Sequence, residues 1–379
     1  MTNETHDTPA DAELDSGLMR TTRRTALQGA GLAGLLAMGV DGVSAQQETS
    51  GTTTHQTGQQ TAENNGSIPV DYTNFIRAQT DRYLESYADI GGFGEFYHYR
   101  TPVPIDKQIV AVEHRDVLPS IGIFDLTEPV TITKPDIGDR YQSMHVVNQD
   151  AYTKAVIYEP GEYTLTREKM ETRYIQVRFR TFVDPTDSSD IKEVQKLQNK
   201  IEVSQSSPGT LALPDWDQDS LDTITEALKT IANTRNRMPE YAFGDEGGID
   251  PVQFFIGSGI WGALPASENF FIYDSPPQND GKTPYTLTFD DVPADAFWDI
   301  SVYNSNLYFE KNKYDAYSIN SKNAEQNPDG SVTIHFGGDP NQSNFLYTPE
   351  GWIYYVRLYK PYDEVLYGFY QFPKPQPVK

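Results

Sequence analysis

Two segments in different halves of the chain share one strand–turn–strand pattern, and this repeat constrains the possible fold more than any other feature. The segments are VTITKPDIGDRYQSMHVVNQDAY (Val130–Tyr152) and YTLTFDDVPADAFWDISVYNSNLY (Tyr285–Tyr308). Downstream of them, ETRYIQVRFRTFVD and EGWIYYVRLYKPYD align a Glu, a Val, an Arg and an Asp. Two β-sandwich modules of common ancestry explain this pattern. The alternative is that strand and turn preferences alone make two β segments look similar.

Helical periodicity connects the two β-rich halves. Apolar residues at helical spacing predict a helix over residues 71–89 and further helices around Ile191–Ile201 and Leu221–Ile231. Short runs between turn residues predict strands elsewhere. Only 37% of the residues are hydrophobic, but 24 Tyr, 18 Phe and 4 Trp can build an aromatic core. The predicted fold class is mainly β with connecting helices.

The first 45 residues resemble a twin-arginine export signal. Arg23 and Arg24 precede a run of small and apolar residues, Ala26–Val40, and Val43–Ala45 supplies the small residues of a cleavage pattern. The apolar run is too short to span a bilayer. We therefore expect an exported, extracellular or cell-surface protein with no stable membrane insertion after the signal is removed. The alternative is a helical anchor that is not cleaved.

Residues 46–67 are polar and low in complexity, which indicates a flexible tether, and Asn65 lies in a glycosylation sequon of weak specificity.

The composition and periodicity divide the chain into five segments. These are an export signal at 1–45, a disordered polar tether at 46–67, an N-terminal β-sandwich domain with flanking helices at 68–205, a helical connector at 206–262 and a C-terminal β domain at 263–379.

The charge and the cysteine count exclude several classes of function. The chain carries 54 Asp and Glu against 30 Lys and Arg, a formal net charge of −24. Such a surface repels nucleic acid and anionic lipid, so neither is an expected partner. High acidity also keeps a protein hydrated in concentrated salt, so we expect a salt-adapted protein. With no cysteine, disulfides, thiolate nucleophiles, iron–sulfur clusters and cysteine-ligated zinc are excluded.

Arg357 stands in the middle of a run that otherwise reads as a packed strand. Alternation places Tyr355 and Tyr359 on the same face as this arginine, where they could flank its guanidinium plane. A buried cation must be paired, since burying it unpaired costs several kcal/mol. Arg178 aligns with Arg357 in the repeat. We therefore interpret Arg178, Arg357, Tyr355 and Tyr359 as structural residues.

The C-terminal half carries the motifs AFWDISVYN, YSIN, DGSVTIHF, NFLYTPEG and VRLYKP in order. This set resembles domain of unknown function 1214. The N-terminal half, through DLTEPVTITKPDIGDRYQSMHVVNQDAYT and VRFRTFVD, resembles the companion domain of unknown function 1254 more weakly. The resemblance implies two jelly-roll-like β-sandwich domains with a helical connection. It names a fold rather than a reaction, because the family has no established molecular activity.

The chain departs from the pattern of both domains. Where the companion domain usually has Pro-Asn-x-Asp-Thr-x-Tyr-Ser, this chain has EHRDVLPS, so Asp116 and Ser120 match but His114 replaces an asparagine. In the second domain, Asp299 stands in place of the motif serine. A site that the family builds from those groups would be altered in this chain.

The stretch EHRD, together with His145 on a later strand, is the densest cluster of titratable residues. Glu113, His114, Asp116 and His145 could bind a divalent metal or act as an acid–base pair. No His-x-His or His-x-x-x-His spacing supports a metal, and a charged surface turn explains the cluster as well. We name His114, Asp116 and His145 as candidate catalytic residues. No cofactor is otherwise evident.

The stretch GGFGEFYHYR combines glycines with aromatic residues. Tyr97, His98, Tyr99 and Arg100, with Ser120, could line a ligand cleft between the modules, since polar tips on aromatic bodies suit sugars or amphiphilic molecules. The alternative is an edge strand of the core.

Three functions remain open from the sequence. The leading hypothesis is a protein that binds a small polar or amphiphilic molecule between its two β domains. The first alternative is a secreted hydrolase or metal-assisted enzyme using His114, Asp116 and His145. The second is a structural envelope protein. The sequence does not predict the ligand, whether a reaction is catalysed, or the oligomeric state.

Overall fold

The structure is a computed structural model that describes residues 66–108 and 111–378. The predicted export signal and nearly all of the tether lie outside these residues. The helices are α1 (Phe75–Tyr87), α2 (Arg167–Met170), α3 (Ser188–Gln198), α4 (Gln218–Ala232), α5 (Pro251–Gly257) and α6 (Asp363–Leu366).

The strands occur in groups between these helices. They are β1 (Phe96–His98), β2 (Val117–Asp125), β3 (Val130–Lys134), β4 (Gln142–Asn148), β5 (Thr153–Ile157), β6 (Gly161–Leu165), β7 (Tyr174–Phe182), β8 (Glu202–Gln205), β9 (Asn269–Asp274), β10 (Tyr285–Phe289), β11 (Ala294–Tyr303), β12 (Ser318–Asn320), β13 (Val332–Phe336), β14 (Phe345–Leu346), β15 (Ile353–Pro361) and β16 (Gln376–Pro377).

The N-terminal half contains two antiparallel sheets that bury a core between them. One has the order β1-β2-β7-β4-β5 and the other β6-β3-β8. Val146 and Val177 of the first sheet and Ile132 and Leu165 of the second belong to one buried cluster. Because side chains alternate along a strand, the residues between these apolar positions face the opposite side of each sheet.

The C-terminal half repeats this arrangement with the sheets β12-β11-β15-β9 and β14-β13-β10-β16. Their common core includes Ile300 and Val356 from the first sheet and Leu287 and Ile334 from the second. All described pairings in these sheets are antiparallel except β13 with β14. The predicted mainly β fold with several antiparallel sheets and connecting helices is confirmed. The finer jelly-roll connection remains an expectation from the resemblance.

The two halves close the same turn in the same way. The side-chain oxygen of Asn148 accepts hydrogen bonds from the backbone of Asp150 and Tyr152, and that of Asn304 accepts from Asn306 and Tyr308. In each turn the residue before the tyrosine has positive φ, 65° at position 151 and 64° at position 307. Each half also has a pair of threonine hydroxyls 2.9 Å apart across two strands, Thr131 with Thr164 and Thr288 with Thr333.

The strand register changes one detail of the predicted repeat. Ser143 and Asp299 each lie five residues before the turn asparagine of their half, and they pair with Arg180 and Arg357 respectively. Arg180, not Arg178, therefore occupies the position equivalent to Arg357. The sequence alignment missed this because it matched the second strands by identity rather than by their pairing.

Apolar and charged contacts join the two halves. Tyr141 and Phe182 of the N-terminal half pack with Phe297 and Tyr359 of the C-terminal half. Asp190 in α3 accepts hydrogen bonds from Arg140 of its own half and from Lys322 of the other. Within the residues that the structure describes, no helix is both long enough and apolar enough to cross a membrane.

Candidate functional site

Three side chains from the two halves converge at their junction. His114 Nε2 lies 2.9 Å from Asp299 Oδ2 and 3.9 Å from Asp116 Oδ2. Asp116 and Asp299 are fully buried, whereas the His114 side chain keeps 16% of its surface exposed. One potential ligand atom from each of the three lies within 4.8 Å of the other two, so together they could hold a metal ion.

The strands of the C-terminal half hold Asp116 in place. Asp116 immediately precedes β2, and its Oδ1 accepts hydrogen bonds from Ser318 Oγ at 3.2 Å and Asn320 Nδ2 at 2.7 Å. Both donors lie on β12, directly opposite Ser301 and Asp299 of β11. The first carboxylate oxygen of Asp116 is thus fixed, and the second points toward His114.

That second oxygen, Asp116 Oδ2, is buried and accepts no hydrogen bond from any described residue. Burial and the nearby Asp299 carboxylate raise the pKa of Asp116 to about 6. Buried polar atoms in native proteins nearly always have a partner. An unpartnered carboxylate oxygen facing an imidazole and a second carboxylate is the arrangement expected where a cation binds.

Arg357 compensates the charge of Asp299. Its Nη1 donates to Asp299 Oδ1 at 2.9 Å, and its Nη2 donates to the hydroxyl of Tyr303 at 2.7 Å. Burial opposes ionisation of Asp299, but His114 and Arg357 outweigh it and lower the pKa of this carboxyl. Burial would likewise lower the pKa of Arg357, but Tyr303 and Asp299 raise it. The pair is therefore ionised in the folded protein.

The same arginine positions the backbone that carries His114. Arg357 Nη2 donates to the carbonyl oxygen of Val112 at 3.3 Å, and Tyr303 donates to that of Glu113 at 2.6 Å. The guanidinium also lies over the ring of Tyr355, 5.5 Å from its centroid. The contacts of Arg357 are thus with other groups of the protein, and they hold the backbone next to His114 against the sheet of the C-terminal half.

Tyr359 contacts the free edge of the His114 ring. Its hydroxyl lies 3.2 Å from His114 Nδ1, and the two rings are nearly parallel. Burial, followed by the charge of Asp299, raises the pKa of Tyr359 well above its ordinary value, so the phenol is neutral. A neutral phenol can donate to Nδ1 or accept from it, and can therefore support either tautomer of the imidazole.

The donor set suits a divalent transition metal. One imidazole nitrogen and two carboxylate oxygens are ligands for Zn²⁺, Mn²⁺ or Fe²⁺. Ligating histidines usually donate their other ring N–H to an oxygen, and Tyr359 offers one. Three protein ligands also leave positions for water or a small molecule, as in catalytic rather than structural metal sites.

His145 lies in a different cluster. Its Nδ1 accepts from Arg180 Nη1 at 3.2 Å, and its Nε2 donates to Thr153 Oγ1 at 3.0 Å. Burial and the charges of Arg180 and Arg178 lower the pKa of His145 well below its ordinary value. The structure therefore places His114 and Asp116 together but does not bring the third predicted residue, His145, to them.

The predicted aromatic stretch divides between two environments. His98 Nδ1 pairs with Ser120 Oγ at 2.7 Å, and burial and Arg100 lower the pKa of His98 to about 4. Arg100 is exposed and bonds to α3 through Gln195 and Gln198, and Tyr97 is also exposed. Tyr99 instead lies within electrostatic reach of Arg178 and Glu113, near the domain junction.

An open cleft of about 730 Å³ lies between the two halves. Tyr141, Tyr158 and Phe182 line it from one side, and Asp295 and Lys360 line it from the other. Tyr141 contacts Tyr359, and Tyr359 contacts His114. The floor of the cleft is therefore one aromatic layer away from the candidate metal ligands.

Comparison with known proteins identifies both domains. The family model described as "Protein of unknown function (DUF1254)" matches residues 93–205. The family model described as "Protein of unknown function (DUF1214)" matches residues 274–363. Together they cover just over half of the chain. The chain belongs to the tandem DUF1254–DUF1214 family. A search of the curated proteins finds no match.

Two solved structures are similar to this DUF1254–DUF1214 protein to different degrees. The VPA0106 protein from Vibrio parahaemolyticus is 17% identical and superposes with a TM-score of 0.64 over 81% of this chain and 97% of its own. A putative uncharacterized protein from Burkholderia cenocepacia is 13% identical, with a TM-score of 0.47 over 81% of this chain and 87% of its own. The first similarity shows the fold and no more.

Sequence reasoning missed Asp299 as a partner of His114. Asp299 lies in the DUF1214 domain, whereas His114 and Asp116 lie in the DUF1254 domain. A signal was present, because His114 and Asp299 are both departures from the motif patterns described above. The two departures meet in space in this chain.

Proposed function

We propose that this DUF1254–DUF1214 protein is a metal-dependent enzyme that holds a divalent ion with His114, Asp116 and Asp299 and acts on a small polar molecule at the junction of its two domains. The carrying observation is the buried, unpartnered Asp116 Oδ2, which faces a histidine nitrogen and a second buried carboxylate. Without a cation, two adjacent buried carboxylates repel each other, and only one of them is ion-paired.

The residues around the ion have separate tasks in this proposal. Arg357 keeps Asp299 ionised and fixes its orientation. With an ion bound, Tyr359 would accept a hydrogen bond from the Nδ1–H of His114, and Nε2 would then be deprotonated and able to bind the ion. A divalent ion there supplies Lewis acidity toward a substrate oxygen and lowers the pKa of a bound water. The exposed fraction of His114 gives the substrate access.

The inter-domain cleft favours a second candidate function, the binding of a small polar or amphiphilic molecule. The cleft has the volume of an ordinary ligand pocket. Lys360 Nζ lies 4.7 Å from the centroid of the Tyr158 ring, so aromatic and charged surfaces adjoin there. A structural envelope protein needs neither this cleft nor the three converging ligands, and it is the least supported of the three functions.

We also propose that the protein is exported by the twin-arginine route and works outside the cell in a salt-rich medium. The support is the leader pattern of residues 1–45 and the net charge of −24. Sequencing the N-terminus of protein recovered from the culture medium tests this. A mature chain that begins near residue 46 supports export, and an intact Met1 in the cell fraction contradicts it.

Metal analysis of the purified protein tests the proposed function. The full chain is stripped with a chelator, and Zn²⁺, Mn²⁺ and Fe²⁺ are titrated back under calorimetry. We expect one ion per chain, and we expect Asp299→Asn and His114→Gln to weaken its binding at least tenfold. Asp125→Asn is the matched control, because Asp125 is also buried but pairs with Arg173 in the N-terminal half. Equal binding by all variants, or no binding, contradicts the proposal.

Turnover is tested separately. Generic ester, amide and phosphate-ester substrates are screened with the metal-loaded and the stripped protein. Turnover that needs the metal and is lost in Asp299→Asn supports an enzyme. Metal binding with no turnover, together with ligand binding that is lost in Tyr158→Ala, supports the second candidate.

A further inference from the structure

We propose that Arg178 and Arg180 form a binding site for the oxyanion group, carboxylate or phosphate, of a small molecule on the face of β7 turned toward the domain junction. This inference deepens the proposed function, since it assigns the substrate a negative charge. The site itself depends only on the residues of the N-terminal half and on Gly262.

The two arginines lie on one face of the sheet. They are two residues apart in β7, opposite His145 and Ser143 of β4. Arg178 Nη2 donates to the hydroxyl of Tyr87 at 2.8 Å, and Arg180 Nη2 donates to the carbonyl oxygen of Gly262 at 3.0 Å. Helix α1, which ends at Tyr87, and the loop at Gly262 therefore cover this face.

Neither arginine has a counter-ion in the part of the chain that the structure describes. The partners of Arg178 and Arg180 are the Tyr87 hydroxyl, the neutral His145 ring and the Gly262 carbonyl. Burial and the like charge of Arg178 lower the pKa of Arg180 to about 10. Two neighbouring cations without a carboxylate are costly in a protein interior, and an anionic ligand removes that cost.

Glu113 is the acid that could have served as the counter-ion. Among the described residues, only the backbone N–H of His114 donates a hydrogen bond to its Oε1, at 3.4 Å, and burial raises the pKa of Glu113. The charge of Arg178 lowers the pKa of Glu113 less than the charge of Arg357 does. Glu113 and Arg178 form no ion pair in the described structure. Glu113 thus leaves Arg178 and Arg180 available to a ligand.

Unpartnered polar atoms accompany the arginines. Gln176, two residues before Arg178 on the same face of β7, is fully buried, and neither its amide nitrogen nor its amide oxygen has a partner among the described residues. Arg178 Nε is also buried with no partner among the described residues. Both arginine residues nevertheless keep some accessible surface. Buried polar groups without partners beside two arginines favour a bound oxyanion.

The repeat supplies a comparison inside the same molecule. Arg357 occupies the position of Arg180 in the other half, and there the residue opposite is Asp299, which provides the carboxylate. Opposite Arg180 the residue is Ser143. In the C-terminal half, the arginine therefore has a carboxylate counter-ion on the neighbouring strand. In the N-terminal half, the equivalent arginine faces a serine hydroxyl instead.

The anion site adjoins the metal ligands. Tyr359, whose hydroxyl contacts His114, is within electrostatic reach of both Asp299 and Arg180. A molecule whose oxyanion group is held by Arg178 and Arg180 can therefore extend past Tyr359 toward His114. This arrangement orients a substrate with one charged end and one reacting end.

Anion-dependent stabilisation of the full chain tests the inference. The melting temperature and the calorimetric binding of inorganic phosphate and of succinate are measured against chloride at constant ionic strength, with chelator present and then with Zn²⁺. We expect phosphate, succinate or both to bind, with an affinity at least tenfold weaker in Arg180→Gln. Arg167→Gln, at an exposed position of the same half, is the control for non-specific attraction and should bind as the wild type does.

A second variant covers the case in which Arg180→Gln does not fold. Ser143→Asp gives Arg180 the counter-ion that Arg357 already has. It should raise the melting temperature without anion and abolish the anion-dependent shift. An unchanged shift in Ser143→Asp, or no binding of either anion by the wild type, overturns the inference. Anion binding that depends on Arg180 in a chain that binds no metal supports the anion site and refutes only the metal proposal.

Discussion

The Arg357 guanidinium donates to Asp299 Oδ1 at 2.9 Å, and the other oxygen of the same carboxylate lies 2.9 Å from His114 Nε2. Asp299 thus joins Arg357 of its own domain to the candidate ligand His114 of the other domain. The stability of the domain junction and the geometry of the site depend on the same few atoms.

Arg357→Gln should destabilise the protein strongly. The substitution leaves Asp299 buried without its ion-pair partner and removes the donors to Val112 and Tyr303. Breaking a buried pair from one side costs about 3–5 kcal/mol. The free energy of unfolding is measured by urea denaturation. Lys374→Gln, which removes an exposed ion pair with Asp274, is the control and should cost less than about 1 kcal/mol. If both variants lose a similar free energy of unfolding, the buried pair of Arg357 and Asp299 does not stabilise the protein more than an exposed pair does.

Asp116→Asn should change the pH dependence of stability in the metal-free protein. Burial and Asp299 raise the pKa of Asp116 to about 6 in the folded chain, whereas an unfolded Asp titrates near 3.9. The folded state therefore binds the extra proton between these values, and the wild type loses about 1–3 kcal/mol as the pH rises through this window.

Asparagine cannot titrate, so the variant should lack this loss. Chelated wild-type and Asp116→Asn proteins are compared by urea denaturation from pH 4 to pH 7. The free energy of unfolding of the variant should rise relative to that of the wild type as the pH rises. With saturating Zn²⁺ the order should reverse, because the ion needs the carboxylate. Parallel curves in the chelated proteins would show that Asp116 is not the titrating group.

Asp190→Asn should loosen the domain junction at neutral pH. Although burial opposes its ionisation, hydrogen bonds from Arg140 and Lys322 hold the pKa of Asp190 far below its ordinary value. A depressed pKa contributes stability that is present above about pH 4 and is lost as the pH falls below it. We expect a loss of roughly 1–3 kcal/mol at pH 7, and a smaller difference from the wild type at pH 3.

Glu193→Gln on the same helix is the matched control, since Glu193 forms an exposed pair with Lys196. It should leave the free energy of unfolding nearly unchanged at either pH, because the pair is exposed to solvent. A difference between Asp190→Asn and the wild type that does not vary with pH would rule out its ionisation as the cause.

Tyr359→Phe should weaken metal binding without abolishing it. The variant keeps the stacking on Phe297 and on His114 but loses the hydroxyl beside His114 Nδ1. Loss of such a supporting hydrogen bond costs about 10–100-fold in metal affinity. Competition with a chromogenic chelator measures it. Tyr158→Phe, which removes a hydroxyl from the cleft instead, should retain the wild-type affinity, and equal affinities in both variants would remove the assigned role of Tyr359.

Most of the fold was readable from the sequence because strand signals are local. Tyr285, Leu287 and Phe289 alternate with threonines, and the structure buries these three on one face of β10. Short strands such as β12 and β14 carry too few residues for a period to be visible. The equivalence of Arg180 with Arg357 was also hidden, because it follows from pairing across strands and not from the order of residues.

The candidate site was readable only in part. His114 and Asp116 stood out because they are close in the chain, whereas Asp299 reaches them through packing between domains. His145 was predicted to join His114 and Asp116 because it is a histidine on a strand, but its hydrogen-bond partners are Arg180 and Thr153. Contacts across a domain junction leave no periodic signal, so residue type alone could not assign the third ligand.

The proposed metal centre is tested most directly by X-ray absorption spectroscopy of the full chain loaded with one equivalent of Zn²⁺. We predict a first shell of oxygen and nitrogen atoms at about 2.0–2.2 Å, with the scattering of a single imidazole, and loss of that imidazole signal in His114→Gln but not in His335→Gln. A bound ion whose imidazole signal survives His114→Gln, or a spectrum of hydrated zinc alone, would contradict it.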